Sequence, residues 1–319
     1  MPDKLTIRFN ASAAKESACL LRTWRTVIEG YAESAPTNDV VFGSAVHEYI
    51  KHMRLTGGNC GVAMQKALAV FNKPKRTKEK KAYLNNSSYL MLCCQNLWED
   101  YLQQDDFETL VSADGVPLVE LKFSIPYYAD DTVEVYLEGT IDDLCKHRAG
   151  CYAVRDYKTT SVWDKTGYLA GYALSPQLMF YRMAIEWYAK EYPGSIYEKF
   201  MSKGIPGAFV DGIFLAGADK PVTFARSEIF QFSEDKMAEF RNLLDKKIHD
   251  LLKCVNNKYK SSDAFSVPRE GMLNGACQTV YGACKFFNVC NALDDIHAEH
   301  LLRNNFVQKP YNPLDYDAI

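Results

Sequence analysis

Apolar residues fall at helical spacing over residues 44–55, where Ala45, Val46, Tyr49, Ile50 and Met53 share one face. Further helices are expected between about 60 and 104. The pattern then changes to runs rich in Val, Ile, Leu and Tyr near 118–125, 133–144 and 151–158, which predict strands. A helix over 176–191, strands near 208–215 and 222–230, and a helix over 234–254 follow. Ser175-Pro176 suits the N-cap and first residue of the earlier helix. Ser233, with Glu234 and Asp235 in the first turn, suits the later one. This order of elements belongs to an α/β chain, and no internal repeat or low-complexity segment interrupts it.

Within "EGTIDDLCKHRAGCYAVRDYKTTS", the break at His147-Arg148-Ala149-Gly150 makes the flanking runs an antiparallel hairpin. With the turn centred on Ala149, Asp142 lies opposite Asp156, and directly opposed residues have Cβ atoms roughly 4.5–5.5 Å apart. Two like charges so placed destabilise a hairpin unless a cation sits between them. Lys158 shares a face with Asp156, because strand side chains alternate. The hairpin therefore presents two carboxylates and an ammonium at one point. A shift of one residue in register would undo the pairing, and a surface hairpin with solvated charges is the bland alternative.

Two carboxylates suit Mg²⁺ or Mn²⁺, hard cations that complete their shell with water and phosphate oxygens. Such a cation acidifies a bound water and offsets phosphoryl charge, and a nearby lysine stabilises the charge that develops. The layout is that of phosphodiester hydrolysis.

Composition adds limits. The 319 residues are 47% hydrophobic and carry a net charge of −3, enough for a large core but unlike a protein that coats nucleic acid. Phosphate backbones are bound by local Lys and Arg, so the overall sign does not forbid DNA. The densest basic run, "NKPKRTKEKK" at 72–81, reads either as a solvated loop or as a guide for a strand. The apolar runs fall short of a membrane span and no secretory leader is read, so a cytoplasmic protein without membrane contact is expected. The ten cysteines are then not expected to form disulfides. No G-x-x-x-x-G-K-[ST] pattern occurs, so a helicase motor, where one is needed, would be a separate chain.

Asp142 followed by Asp156-Tyr157-Lys158 resembles the signature of the PD-(D/E)XK nucleases. "FGSAVHEYI", with His47, precedes the hairpin; "SPQLMFYRMA", with Gln177 and Tyr181 one helical turn apart, follows it. "CQTVYGACKFFNVC" holds Cys277, Cys284 and Cys290, and Cys19 lies near the N-terminus. In this order the motifs resemble the RecB-like branch of that superfamily: the RecB and AddB nuclease domains, and the CRISPR-associated and phage exonucleases with an iron–sulfur cluster. The resemblance covers about residues 10–292.

It implies a restriction-endonuclease-like core, a mixed central sheet flanked by helices, over residues 111–260. A helical N-terminal elaboration would occupy residues 1–110 and a C-terminal iron–sulfur segment residues 261–319. The activity implied is a Mg²⁺- or Mn²⁺-dependent deoxyribonuclease, an exonuclease acting on DNA ends or single strands in recombination, repair or phage and CRISPR DNA processing. A non-catalytic DNA-end-binding partner of a helicase or recombination complex is the alternative. By the resemblance, His47, Asp142 and Asp156 are metal ligands, Lys158 assists the attacking water, and Gln177 and Tyr181 position the phosphate or the site. A lone histidine on such an apolar helix face, read by itself, is more often a satisfied core residue. Glu120, on the first strand, either reaches the site or is solvated. Cys19, Cys277, Cys284 and Cys290 would hold a [4Fe–4S] cluster, with structural zinc as the rival. The spacings of the last three, six and five residues, are wider than usual zinc pairs.

Overall fold

The structure, a computed structural model, describes residues 4–202, 207–217, 220–260, 267–279 and 282–314. The chain opens with β1 (Leu5–Phe9), α1 (Ala11–Glu16), α2 (Leu20–Thr23) and β2 (Tyr31–Glu33). Three helices come next, α3 (Asn38–Leu55), α4 (Cys60–Phe71) and α5 (Ser87–Asn96), then β3 (Phe107–Thr109), β4 (Val119–Ala129), β5 (Val133–His147) and β6 (Tyr152–Thr160). The crossover helices are α6 (Lys165–Ala170), α7 (Pro176–Glu191) and α8 (Ile196–Ser202), leading to β7 (Gly207–Phe214), β8 (Thr223–Arg226) and the long α9 (Glu234–Lys260). Short elements close the chain: α10 (Gly271–Asn274), β9 (Gln278–Thr279), β10 (Gly282–Ala283), α11 (Phe287–Cys290), α12 (Asp295–Asn305) and β11 (Phe306–Gln308).

Two compact units divide these elements. The larger comprises residues 35–123 and 140–233. Its strands form a mixed sheet in which β6 runs antiparallel to β5 and parallel to β7, while β8 returns antiparallel to β7. The parallel step requires a crossover, and α6 to α8 supply it. Every residue of β7 is buried, as a central strand covered on both faces must be. Apolar side chains of α3, α4 and α5 cluster with Tyr157 of β6 and Ile213 of β7. The fold class is the one expected, a central mixed sheet flanked by helices, consistent with a restriction-endonuclease-like core.

The smaller unit gathers residues 1–34, 124–139 and 234–318, segments that a division by chain order keeps apart. Here β1 pairs in parallel with residues Val133 to Leu137 of β5, and β11 pairs with β2. The Leu5-Ile7-Phe9 alternation of β1 spans only five residues, too few for periodicity to signal a strand.

Most expected elements stand close to their predicted bounds. The expected strand over 222–230 is shorter: ladder pairing covers Thr223–Arg226, and Phe230 meets Ala208 only at an isolated bridge. Ser175 is the N-cap of α7, but its hydroxyl makes no capping bond, so Pro176 at the first helical position marks the start. The basic run is largely structural. Lys78 and Lys81 both pair with Asp39 at 3.0 Å, and Lys75 bonds the Phe71 carbonyl. Among the described residues no helix is long and apolar enough to cross a membrane.

Candidate active site

The hairpin has the expected register. Asp143 pairs with Arg155 and Leu144 with Val154, symmetrically about the turn. Asp142 and Asp156 lie one step beyond the last ladder pair, and Asp142 Oδ2 accepts the Tyr157 backbone N–H at 2.8 Å. Both carboxylates are buried, Asp156 completely. Burial of two acids in adjacent strands is costly without partners, and each has its own set.

His47 arrives from α3. At Gly43, one turn earlier, that helix approaches β6 closely: a Cβ there would stand 2.8 Å from Thr159 Oγ1. This approach brings His47 Nε2 within 2.9 Å of the Tyr157 carbonyl. A carbonyl only accepts, so Nε2 carries the proton, and a neutral ring leaves Nδ1 as a lone-pair donor. Nδ1 faces Glu120 Oε1 at 3.5 Å and Asp142 Oδ2 at 3.6 Å. The three ligand atoms lie within 4.8 Å of one another, close enough to share one cation. Glu120 is therefore turned into the site. Among the described residues it is the one non-glycine with positive φ, at 51°. That left-handed backbone costs on the order of 1 kcal/mol and reverses the side chain's direction relative to the regular pleat.

Asp156 is engaged elsewhere. Its Oδ1 accepts from Gln177 Nε2 at 3.0 Å and from the Tyr181 hydroxyl at 3.1 Å, and Gln177 also donates to Tyr181 at 2.6 Å. Its Oδ2 pairs with Lys158 Nζ at 2.6 Å. All seven side chains thus converge, in two adjoining groups: His47, Glu120 and Asp142, then Asp156, Lys158, Gln177 and Tyr181.

The charges are strongly coupled. Burial opposes the imidazolium of His47, but Asp142 and Glu120 outweigh it and push the group up to about 9. Asp142 is pushed up to about 7 by burial, aided by the charges of Asp156 and Glu120 and opposed by His47. Lys158 is disfavoured by burial, yet Asp156 and Asp142 raise its pKa and keep it charged. An excess of buried negative charge around one imidazole fits a divalent cation, to which His47, Glu120 and Asp142 offer an imidazole and two carboxylates.

Sequence reasoning missed the other face of the hairpin. Arg155 is fully buried and bonds Asp105, the Phe107 carbonyl and the Tyr157 hydroxyl. Arg226 joins Asp105 to Asp211, and Thr109 bonds Asp143. These residues come from β3, β5, β6, β7, β8 and the turn before β3, so the network ties the sheet's strands into one register. The available signal was parity: Asp143, Arg155 and Tyr157 alternate with the catalytic candidates.

In the smaller unit the four cysteines come together. Cys19 is buried and Cys277, Cys284 and Cys290 are half-buried. A Cβ on Gly271 would meet Cys277 Sγ at 3.0 Å and Cys19 Sγ at 3.3 Å, so glycine leaves the space between those sulfurs open. The Cys284 N–H bonds the Cys277 carbonyl, and Arg25 reaches Cys290 Sγ at 3.7 Å. Burial raises Cys290, while Arg25 and Arg269 beside it favour the thiolate.

Comparison with known proteins places the chain. No curated protein matches it. Among solved structures, one described as "Crystal structure of SSO0001" aligns at 13% identity and a TM-score of 0.27, covering 75% of this chain and 84% of that one. The family model of the PD-(D/E)XK nuclease superfamily matches residues 11–291, a span that holds the hairpin, the histidine helix, α7 and all four clustered cysteines. The chain belongs to the PD-(D/E)XK nuclease superfamily.

Proposed function

We propose that this chain is a Mg²⁺- or Mn²⁺-dependent DNA exonuclease that works on ends or single strands. The observation that carries the reading is the meeting of His47, Glu120 and Asp142 within 4.8 Å, beside the Asp156–Lys158 ion pair. His47, Asp142 and Glu120 would hold the cation, with Asp156 as a further ligand or as the anchor of Lys158. When bound, the cation supplies Lewis acidity, lowering the pKa of water and offsetting charge on the phosphoryl oxygens. Lys158, kept charged and aimed by Asp156, donates to the attacking water or to an oxygen of the phosphate. Gln177 and Tyr181 hold Asp156 in one rotamer. A DNA-end-binding module without catalysis has no use for this set of buried acids, which disfavours the alternative.

We also read Cys19, Cys277, Cys284 and Cys290 as ligands of a structural [4Fe–4S] cluster, as in the RecB-like branch. A helicase or recombination partner, and a place in the cytoplasm, belong to the same reading.

The test is end-labelled single- and double-stranded DNA with Mg²⁺, Mn²⁺ or EDTA. Metal-dependent release of short products from one end is expected. Binding without cleavage under every metal condition sinks the enzymatic reading. Iron analysis of anaerobically purified protein tests the cluster: about four irons per chain are expected, and stoichiometric zinc without iron overturns it.

A further inference from the structure

We propose that residues 161–175, which link β6 to α7, form a platform on which an unpaired base of the DNA strand stacks beside the reacting phosphate. The inference rests on the nuclease reading and adds to it the means of recognising a single strand. The segment leaves β6 just after Lys158 and enters α7 just before Gln177, so both its ends are fixed at the catalytic group. It is anchored along its length: Leu169 is buried, and Asp164 caps α6 by accepting the Gly167 N–H at 3.0 Å.

From this anchored segment two large apolar side chains point into solvent. Trp163 is 85% exposed, the most exposed aromatic among the described residues, and Leu174 is 67% exposed. An exposed indole offers a large, flat contact face of the kind enriched at binding interfaces. The surroundings say what that face would meet. Lys220 Nζ sits 5.5 Å over the Trp163 ring, and Lys165 Nζ sits 5.4 Å over Phe214. Tyr168 packs edge-on against both Tyr172 and Phe214, with its hydroxyl 2.9 Å from that of Tyr172. Aromatic faces interleaved with lysines suit a strand whose bases stack and whose phosphates are negative. A duplex keeps its bases stacked on one another and offers none to Trp163, so the platform selects an unpaired nucleotide.

The test uses the full chain carrying Asp156→Asn to silence cleavage. Its affinity for a short oligothymidylate is compared with that for an abasic oligomer of equal length, by fluorescence anisotropy. One stacked base should favour the thymidylate by about 5- to 100-fold, with quenching of tryptophan emission. Adding Trp163→Ala should collapse that preference to within about twofold while leaving affinity for the abasic oligomer unchanged. Trp163→Phe should restore much of it. Equal affinity for the two oligomers, or a preference that survives Trp163→Ala, overturns the proposal; with no quenching either, the surface falls to a protein partner. Absence of metal-dependent cleavage by the unmodified chain would instead sink the nuclease reading, and the binding comparison would still be readable.

Discussion

His47 donates its Nε2–H to the backbone carbonyl of Tyr157, the middle residue of the Asp156-Tyr157-Lys158 motif, at 2.9 Å. One hydrogen bond thus ties the helix of the first motif to the strand of the last and turns Nδ1 toward Glu120 and Asp142. With the imidazole pushed up to about 9, Nδ1–H pairs with these acids in the metal-free chain, and a cation in the proposed site would take that proton's place. His47→Ala should weaken Mn²⁺ binding, followed by electron paramagnetic resonance, by about 10- to 100-fold. Activity should fall most at limiting metal and recover in part at high metal. A lowered melting temperature with unchanged Mn²⁺ binding would return His47 to the core.

Asp156→Asn and Lys158→Ala should each lower cleavage by at least about 10²–10³-fold while leaving the circular dichroism spectrum and DNA binding nearly intact. In the proposed mechanism both residues serve the reacting phosphate, and the apolar cluster around α3 to α5 includes neither. Near-normal turnover in either purified variant contradicts the assignment.

Glu120 combines a strained backbone with a functional direction, so two substitutions should separate them. Glu120→Gln keeps the strain and should reduce Mn²⁺ affinity without changing stability. Glu120→Gly removes both, and should lose the same affinity while gaining about 1 kcal/mol of stability in EDTA. Equal metal binding in all three proteins would show that Glu120 is a bystander.

In EDTA the acids at the site should make stability depend on pH. Asp142 titrates at about 7 in the fold, above its ordinary 3.8, so the native state holds the extra proton and stability falls as pH rises from about 4 to 7. His47, raised to about 9, contributes stability that is complete below its ordinary 6.5 and is lost as pH rises through 9. Asp142→Asn removes the first effect and most of the second. Its melting temperature relative to the unmodified protein should therefore be lowest near pH 5 and rise steadily toward pH 9. A difference that is flat across this range would refute the coupling.

Arg155→Met should destabilise the protein by about 3–5 kcal/mol, because Asp105, Asp143 and Asp211 lose a buried counter-charge together. Chemical denaturation measures it. A cost below about 1 kcal/mol would mean that Arg226 alone suffices to balance the acids.

The local features of the site were legible in the chain. A turn at Ala149 and the two-residue pleat were enough to bring Asp142 and Asp156 abreast and to place Lys158 on the same face, because register in a short hairpin follows from the turn. Pro176 was enough to start α7 and so to set Gln177 and Tyr181 one turn apart. Family resemblance suggested what periodicity does not carry, the roles proposed for His47 and for cysteines separated by 258 residues between Cys19 and Cys277. Only the tertiary structure decided the rest. Glu120 reaches His47 because one residue of β4 takes a left-handed turn, and no pattern of apolar and polar positions encodes that. Asp105, Asp211 and Arg226 gather on Arg155 through strand pairings that are long in sequence, and β1 finds β5 across more than a hundred residues. Periodicity reports which face a residue occupies within its own element; which other element comes to meet that face depends on packing of the whole chain.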